Sequence, residues 1–497
     1  MNADTTQMAA DEIVKMGLNR QSLSRNSNRL HWRQSAWYRR SSALALSFLL
    51  AGCAVGPDYK RPDVAVPEKY KEAGDWVVAK PSDAVPKGKW WEAFRDPFLN
   101  GLVEQVNVSN QTLAAAEARY RQAQAAVVFA RSGLFPVLGY DVNASRQGQG
   151  TAVITGSGTG NRYTATLDAH WEVDLWGGIR RQVEAAGDAA QASAADLENA
   201  RLSLQAQLIT NYYLLRVADV QASLLDDTVK AFDTSLKVTQ NRYNGGVAAK
   251  VDVVQAQAQL LSTQVSVVDL KATRATLEHS IAALIGKSPS ELTIEPVKFE
   301  VHIPDIPPGM PSTLLERRPD IASAERNMAA ANARIGVAKA AYFPALNLTG
   351  SIGTAGSTTS TLLKAPYRVW ALGADLAGTI IDFGARSSQV DIARGAYDEQ
   401  VADYRQTVLA GFQEVEDNLA NVHWLGEETK VEQDAVRAAR ESVVLTVNQY
   451  KAGTVSYLNV VTVQAAQLNE EARLVTLLGR RLSATIVLMR ALGGTWE

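Results

Sequence analysis

The chain has 497 residues and a formal net charge of −2 at pH 7. Such a balance provides no basic surface for nucleic acid, so we expect no nucleic-acid partner. With only one cysteine the chain cannot form an internal disulfide, and it has no metal-spaced histidine and cysteine cluster, no glycine-rich phosphate loop and no nucleophile elbow. We therefore predict that the protein is not an enzyme and has no catalytic residue and no bound metal or cofactor.

Arginines, a short apolar run and small residues follow one another near the N-terminus. The run Ala43–Leu50 is shorter than the roughly 20 residues of a membrane-spanning helix, and its surroundings are typical of a secretory signal. The letters Leu-Ala-Gly-Cys at its end resemble a bacterial lipobox. We therefore expect residues 1–52 to be a leader and Cys53 to carry covalent lipid. No other apolar run approaches a membrane helix, so entry into a membrane would require β-strands.

The sequence that follows this segment contains an internal duplication: two similar repeats succeed each other along the chain. NQTLAAAEARYRQAQAAVVFARSGLFPVL, from Asn110, aligns with RRPDIASAERNMAAANARIGVAKAAYFPAL at an offset of 208 residues. YNGGVAAKVDVVQAQAQLL, from Tyr243, aligns with YKAGTVSYLNVVTVQAAQL, from Tyr450, at an offset of 207. The predicted parts are a lipid-anchored extended segment over 53–97, repeat 1 over 98–290, a proline-rich linker over 291–311, and repeat 2 over 312–495.

Each repeat contains two long segments without proline. Arg180–Tyr243 predicts one very long helix or two helices end to end, up to ~96 Å at 1.5 Å per residue. Val251–Ile285 predicts a second helix, and Arg386–Tyr450 and Leu458–Leu492 repeat the pattern. Helices of this length with moderate apolar content pack lengthwise, so on their own they would also fit a coiled-coil rod.

Two strands are predicted in each repeat. Arg162–Leu175 alternates apolar and polar residues without a break, over more than the 9–11 residues that cross a bilayer at a tilt. Asp168 and Asp375 fall on the polar face and are candidate residues of a barrel lumen. A soluble hairpin with one buried face would alternate in the same way. The expected strands lie at about 137–147 and 162–175 in repeat 1, and at about 345–353 and 368–381 in repeat 2.

Four strands are too few to close a barrel, because both outer strands would leave backbone groups unpaired. In lipid each unpaired group costs several kcal/mol, so membrane strands would require oligomerisation. Eight strands from a dimer would give a barrel filled by side chains, whereas twelve leave room for a channel. The helices would then continue the channel wall on the periplasmic side.

Five motifs, in order, resemble signatures of one family. They are KWWEAFRDPFLNGLVEQ (Lys89–Gln105), WEVDLWGGIRRQ (Trp171–Gln182), LLERRPDIASAE (Leu314–Glu325), ARIGVAKAAYFPALNL (Ala333–Leu348) and YKAGTVSYLNVVTVQ (Tyr450–Gln464). The chain resembles the TolC-like outer membrane factors of bacterial tripartite efflux pumps, closest to the lipoprotein branch of the OprM and NodT type. The resemblance implies a mixed α/β membrane protein. It also implies that four strands per chain form a shared twelve-stranded barrel in a homotrimer, with a periplasmic α-barrel of long antiparallel helices and a small equatorial domain.

The implied function is a passive exit duct for drugs or other small toxic molecules, lipid-anchored in the bacterial outer membrane. Its implied partners are a periplasmic adaptor, an inner-membrane RND-type pump and outer membrane lipid. The alternatives are a type I secretion exit duct and a periplasmic lipoprotein scaffold or adaptor.

A periplasmic gate is expected at the free helical ends, since only those ends can move without disturbing membrane strands. Gly246 and Gly453 lie in the two turns there. We expect Leu458 to form an apolar constriction and tyrosine hydrogen bonds to hold it shut, although ordinary turn residues would give the same pattern. Thr462 stands where the family often has an acidic residue. The gate candidates are Tyr243, Val251, Asp252, Tyr450, Leu458 and Thr462.

Overall fold

The computed structural model describes residues 54–63, 66–67, 70–71, 88–148, 159–297, 303–304, 317–361 and 364–494. These residues belong to the unit Ala54–Glu497, and the unit Met1–Cys53 lies outside them. The predicted leader, Cys53 and most of the predicted linker are therefore outside the described residues.

The elements follow the same order in both repeats. The first repeat contains α1 (Pro97–Ser109), α2 (Gln111–Ser132), β1 (Val137–Gly148), β2 (Thr159–Val173), α3 (Gly178–Asn244) and α4 (Lys250–Leu284). The second repeat contains α5 (Pro319–Ala340), β3 (Ala345–Gly356), β4 (Arg368–Ala377), α6 (Ala385–Lys451) and α7 (Tyr457–Ala491). Short 3₁₀ turns lie at Trp90–Phe94, Pro289–Glu291, Thr359–Thr361 and Ala365–Tyr367.

Corresponding helices have equal lengths. α2 and α5 contain 22 residues each, α3 and α6 contain 67, and α4 and α7 contain 35. The predicted duplication is confirmed, and of the two alternatives for Arg180–Tyr243 the single helix is correct, because α3 has no break. None of the described helices has both the length and the apolar character needed to cross a membrane.

The four strands form one antiparallel sheet in the order β1-β2-β3-β4. Val137 pairs with His170 at one end of the first hairpin, and Ala345 pairs with Ala377 at the corresponding end of the second. β2 and β3 join the two repeats in the centre of the sheet. β1 and β4 are the outer strands, and each has one edge without a strand partner in the described part of the chain.

The strand ends differ from the predicted limits. β1 reaches residue 148 instead of 147, β2 runs from Thr159 to Val173 instead of over 162–175, and β3 continues to Gly356 instead of stopping at 353. β4 ends at Ala377 rather than at residue 381. The reason is pairing: Ala377 lies opposite Ala345, the first residue of β3, so the following residues have no strand beside them.

The largest buried core contains residues of both repeats, and within it the segment before α1 packs against the middle of α3. Trp90 and Trp91 are both buried, and Trp90 donates its Nε1–H to Oε1 of Gln205 at 3.1 Å. Phe94 packs on Tyr213 with ring centroids 5.0 Å apart. This aromatic group fixes α1 against α3 through apolar burial, which is the dominant favourable contribution to packing.

Charged side chains of α3 and α4 hold the segment around Ile294 and Glu295, which follows α4, against these two helices. Arg274 donates to Oδ1 of Asp219 at 2.7 Å, and Arg216 donates to Oδ2 of the same carboxylate at 3.0 Å. Each arginine also donates to a backbone carbonyl of the segment, Arg216 to Glu295 at 2.9 Å and Arg274 to Ile294. Because Arg216 and Asp219 are buried and paired, loss of either one would leave an uncompensated buried charge.

Candidate channel wall and helix-tip gate

One face of the sheet is apolar across all four strands. Tyr140, Leu167, Ile352 and Trp370 lie side by side, one from each strand in order. All four side chains are exposed in the single chain, Leu167 by 63% and Trp370 by 74%. A continuous exposed apolar surface of this kind marks an interaction with lipid or another protein, and outward apolar residues are the pattern of membrane barrels.

The opposite face carries the polar residues. Asp168 lies between Gly139 and Ser351, and its Oδ2 accepts a hydrogen bond of 2.8 Å from the hydroxyl of Thr166. Asp375 lies on the same face, but in the row of Asn347 and therefore apart from Asp168. The two candidates hold equivalent repeat positions without being neighbours in the sheet.

Two further acidic residues share this face, although only Asp168 and Asp375 are named as lumen candidates from the sequence. Glu172 lies in the same row as Asn347 and Asp375, and Asp141 lies opposite Thr166. Their place in the period-two alternation would have identified them. The polar face therefore combines four carboxylates with one arginine, Arg162, and this net negative charge would favour cations if the face lines a channel.

An aspartate shortly before each of the two longest helices, α3 and α6, accepts hydrogen bonds from N–H groups of the first helical turn. Asp174 accepts hydrogen bonds from the backbone of Ile179 at 3.1 Å and of Arg180 at 2.9 Å, and from Arg180 Nε at 3.1 Å. Asp382 has the same relation to Arg386 in repeat 2. A carboxylate at a helix N-terminus also interacts favourably with the helix dipole. These pairs fix the directions in which α3 and α6 leave the sheet.

The helix tips lie at the turns between α3 and α4 and between α6 and α7. Gly246 and Gly453 occupy these turns with φ of 71° and 76°, a left-handed conformation that suits glycine. Val251 and Leu458 begin the following helices and are both exposed. Tyr243 is also exposed, and Asp252 is half-buried.

A tyrosine cluster connects the two tips. The guanidinium of Arg242 lies 4.7 Å from the ring centre of Tyr450, and Arg242 Nη1 donates to the carbonyl of Lys451 at 3.4 Å. Tyr450 packs on Tyr457 with ring centroids 5.3 Å apart. Among the described residues the buried hydroxyl of Tyr450 has no hydrogen-bond partner. Within one chain Tyr450 therefore holds the tips together through its ring.

Tyr457 makes the tyrosine hydrogen bond at this place, and the sequence did not identify it. Its hydroxyl lies 2.9 Å from Oγ of Ser235, which joins α7 to α3. Burial raises the pKa of Tyr457, so the side chain stays a neutral phenol at neutral pH. The hydroxyl of Thr462 donates to the carbonyl of Leu458 at 2.9 Å, within its own helix.

A carboxylate pair lies between α6 and α7, farther along the hairpin. Glu432 is only 5% exposed, and its Oε1 is buried without a hydrogen-bond partner among the described residues. Arg473 Nη1 lies 3.7 Å from Glu432 and 3.8 Å from Glu470. Burial, and then the adjacent Glu470 carboxylate, raises the pKa of Glu432.

The raised pKa gives the hairpin a pH-dependent stability. A carboxyl group with a higher pKa in the folded state stabilises that state when protonated, and this stabilisation is lost as pH rises through the folded pKa. We expect Glu432→Gln to reduce this dependence and to raise the melting temperature at neutral pH. Circular dichroism melts from about pH 4 to about pH 8 measure this dependence, with Glu441→Gln, at an exposed residue of the same helix, as control. Equal pH slopes in wild type and Glu432→Gln would contradict the assignment.

The fold and the site together define a class of protein: an outer membrane channel whose strand sheet continues into long paired helices. A comparison with known families finds a match to the outer membrane efflux protein family over residues 102–287 and 310–494. The chain belongs to this family, which is not enzymatic.

Individual relatives agree with this assignment. The toluene efflux pump outer membrane protein TtgC of Pseudomonas putida is 30% identical over 464 residues, which cover 92% of this chain and 95% of the relative. The pyoverdine export outer membrane protein OpmQ of Pseudomonas aeruginosa is 29% identical over 466 residues, with 92% and 97% covered. The solved structure of the outer-membrane channel OprN has a TM-score of 0.83 and 31% identity, and the match covers 89% of this chain and 100% of that one.

Proposed function

We propose that this channel is the exit duct of a tripartite efflux system that exports drugs or other small toxic molecules. The observation that carries the proposal is the sheet, which is apolar on one exposed face and unpaired at both edges. Three copies would pair these edges into a twelve-stranded barrel with the carboxylate face inside. A dimer would provide only eight strands, whose interior side chains fill the lumen.

The relatives support small molecules as the exported class. TtgC is named for toluene and OpmQ for pyoverdine, which are chemically unlike each other. We infer that the duct itself selects weakly and that an inner-membrane RND-type pump, acting through a periplasmic adaptor, selects the compound and supplies the energy. A type I secretion duct would instead release a folded or unfolded protein.

Two measurements test the proposed function. Native mass spectrometry of the detergent-solubilised protein should give the mass of three chains, and the same sample should form cation-selective channels in planar bilayers. A deletion strain should become sensitive to small toxic compounds and should regain tolerance with the wild-type gene. A strain that retains full tolerance but stops secreting a protein would instead support the type I alternative.

We infer that Cys53 carries the lipid that anchors the chain in the outer membrane. The residues that follow it support this inference: Val55 donates its N–H to the carbonyl of Trp176 at 3.0 Å, directly after β2. Asn332 donates to the carbonyl of Pro57 at 3.0 Å, and Arg181 binds Asp58 at 2.8 Å. The described residues that follow Cys53 thus lie beside the end of β2 and the start of α3.

Replacing Cys53 with alanine tests the anchor. Cys53→Ala should abolish labelling by radioactive palmitate, because the thiol that receives the diacylglycerol group is absent. Assembly in the membrane should fall only partly, since the apolar face of the sheet does not depend on the acyl chains. Label retained on the alanine variant would contradict the inference, and Cys53→Ser provides a size-matched control.

A further inference from the structure

The pairing of β2 with β3 inside one chain shows how the outer strands of two copies could pair. We call this β2–β3 pairing the template. β2 and β3 pair where the two repeats meet, and the duplication makes β4 the counterpart of β2 and β1 the counterpart of β3. A second copy that brings its β1 beside β4 would repeat this pairing and continue the same sheet. The inference below rests on the proposed assembly and adds the residue pairing that holds it together.

The repeat offsets fix the register of that contact. The first pairs of the two hairpins show that β3 is β1 shifted by 208 residues and β4 is β2 shifted by 207. In the observed template Leu167 lies opposite Ile352. The residue of β4 equivalent to Leu167 is Ala374, and the residue of β1 equivalent to Ile352 is Ala144. The equivalent pair between two copies is therefore Ala374 of one chain and Ala144 of the other.

We propose that β4 pairs with β1 of a second copy so that Ala374 lies opposite Ala144 of the partner subunit. This register places Leu376 beside Val142 of the partner subunit on the apolar face. A slip by one residue would turn every β1 side chain to the wrong face, so the apolar surface excludes it. A slip by two residues would leave every side chain on the same face of the sheet, so the apolar surface alone does not exclude it. A second contact is needed to fix the register.

That second contact is visible inside the chain, at the end of β2. Trp176 precedes Gly177, the left-handed residue before α3, and its ring stacks on Phe343 with centroids 4.6 Å apart. Its Nε1–H also donates to the carbonyl of Pro344 at 2.8 Å. Phe343-Pro344 precedes β3, and at the same offset Phe135-Pro136 precedes β1.

Among the residues that the structure describes, the counterpart of Trp176 has no aromatic neighbour of this kind. Phe383 precedes Gly384, the left-handed residue before α6, and its side chain is 100% exposed. Its own φ of 51° is uncommon for a bulky residue, so the ring is held outward at a conformational cost. Phe135 is 66% exposed at the other edge of the sheet. By analogy with Trp176 and Phe343 in the template, Phe383 stacks on Phe135 of the partner subunit in the proposed contact.

The same register explains the end of β4. Ile380 is exposed and lies beyond the last residue paired with β3. In the proposed contact it lies opposite Leu138 of the partner subunit, which is exposed at the β1 edge. β4 therefore lengthens from Ala377 to Ile380 on assembly, close to the limit expected from the sequence.

Disulfide cross-linking tests the register. Ala374→Cys combined with Ala144→Cys should give covalent trimers on a non-reducing gel, because directly opposite residues are within disulfide reach. Ala374→Cys combined with Val142→Cys or with Arg146→Cys should not, since diagonal neighbours are too far apart. The single-cysteine variants show whether Cys53 contributes.

The outcomes separate this inference from the proposed assembly. A native mass of three chains with cross-links only to Val142→Cys or Arg146→Cys would overturn the register while leaving the trimer intact. A native mass of one chain with no cross-link in any pair would overturn both.

The aromatic stack has its own test. Phe383→Ala and Phe135→Ala should each lower the temperature at which the trimer dissociates in SDS, and the double variant should lose little more than either single variant. Phe383→Ala combined with Phe129→Ala is the control, because Phe129 is an exposed phenylalanine on α2 outside the proposed contact. Additive losses for Phe383 and Phe135 would overturn the stack.

Discussion

Leu167→Arg is expected to prevent most of the protein from assembling in the outer membrane, whereas Asp168→Asn should assemble at the wild-type level. Leu167 lies in the apolar row between Tyr140 and Ile352, and Asp168 lies on the opposite face. An arginine on the lipid face at mid-bilayer costs roughly 2–4 kcal/mol, and a trimer would carry three copies. Against a typical stability of about 5–15 kcal/mol, the total is large enough to prevent folding.

Heat-modifiable gel mobility of outer membrane fractions measures this difference. Leu167→Gln is the matched control for size, and it should assemble better than arginine because it adds no charge. Asp168→Asn should also lower the preference of the channel for cations, because it removes one carboxylate per chain from the polar face. Equal assembly of Leu167→Arg and Asp168→Asn would show that the faces are reversed.

The long helices could be predicted almost to the residue. Their signals are local: proline-free segments bounded by glycines, repeated at a constant offset. Arg386–Tyr450 was expected and α6 runs over Ala385–Lys451. A helix satisfies its own backbone hydrogen bonds, so its ends depend on residues close in sequence. The duplication then supplied a second, independent copy of each boundary.

The strand ends and the gate contacts could not be predicted in the same way. β4 stops at Ala377 because its neighbour begins at Ala345, 32 residues earlier in the chain. Tyr457 is fixed by Ser235, which is 222 residues away. Contacts between residues this far apart depend on how the chain packs, and no periodic pattern in the sequence indicates them. The sequence indicates Tyr243 and Tyr450 at the tips, but it does not indicate Tyr457, whose hydroxyl shares the hydrogen bond with Ser235.

The contacts at the tips indicate how the proposed gate would be held closed. Tyr450 contributes a ring that lies against Arg242 and Tyr457, while its hydroxyl has no partner in the described part of the chain. A cation–π contact is worth about 0.5–1 kcal/mol where it is exposed and more where it is desolvated. Three copies would stabilise a closed state by a few kcal/mol, which an adaptor could overcome by binding the open state better.

Tyr450→Ala combined with Leu458→Ala is therefore expected to raise single-channel conductance several-fold and to sensitise cells to vancomycin at unchanged protein level. The first change removes the ring between Arg242 and Tyr457, and the second removes an apolar side chain that is 54% exposed at the start of α7. Leu445→Ala is the matched control, because Leu445 is 56% exposed on α6 before the tip.

Tyr450→Phe separates the two ways in which this tyrosine could hold the gate. If the ring contact with Arg242 dominates, the phenylalanine variant should conduct like the wild type, because it keeps the aromatic face that attracts the guanidinium. If the hydroxyl bonds to a neighbouring subunit, the phenylalanine variant should open as the alanine variant does, since a hydrogen bond contributes about 1 kcal/mol net in each copy. Wild-type conductance in the double variant with Leu458→Ala would place the constriction elsewhere along the helices.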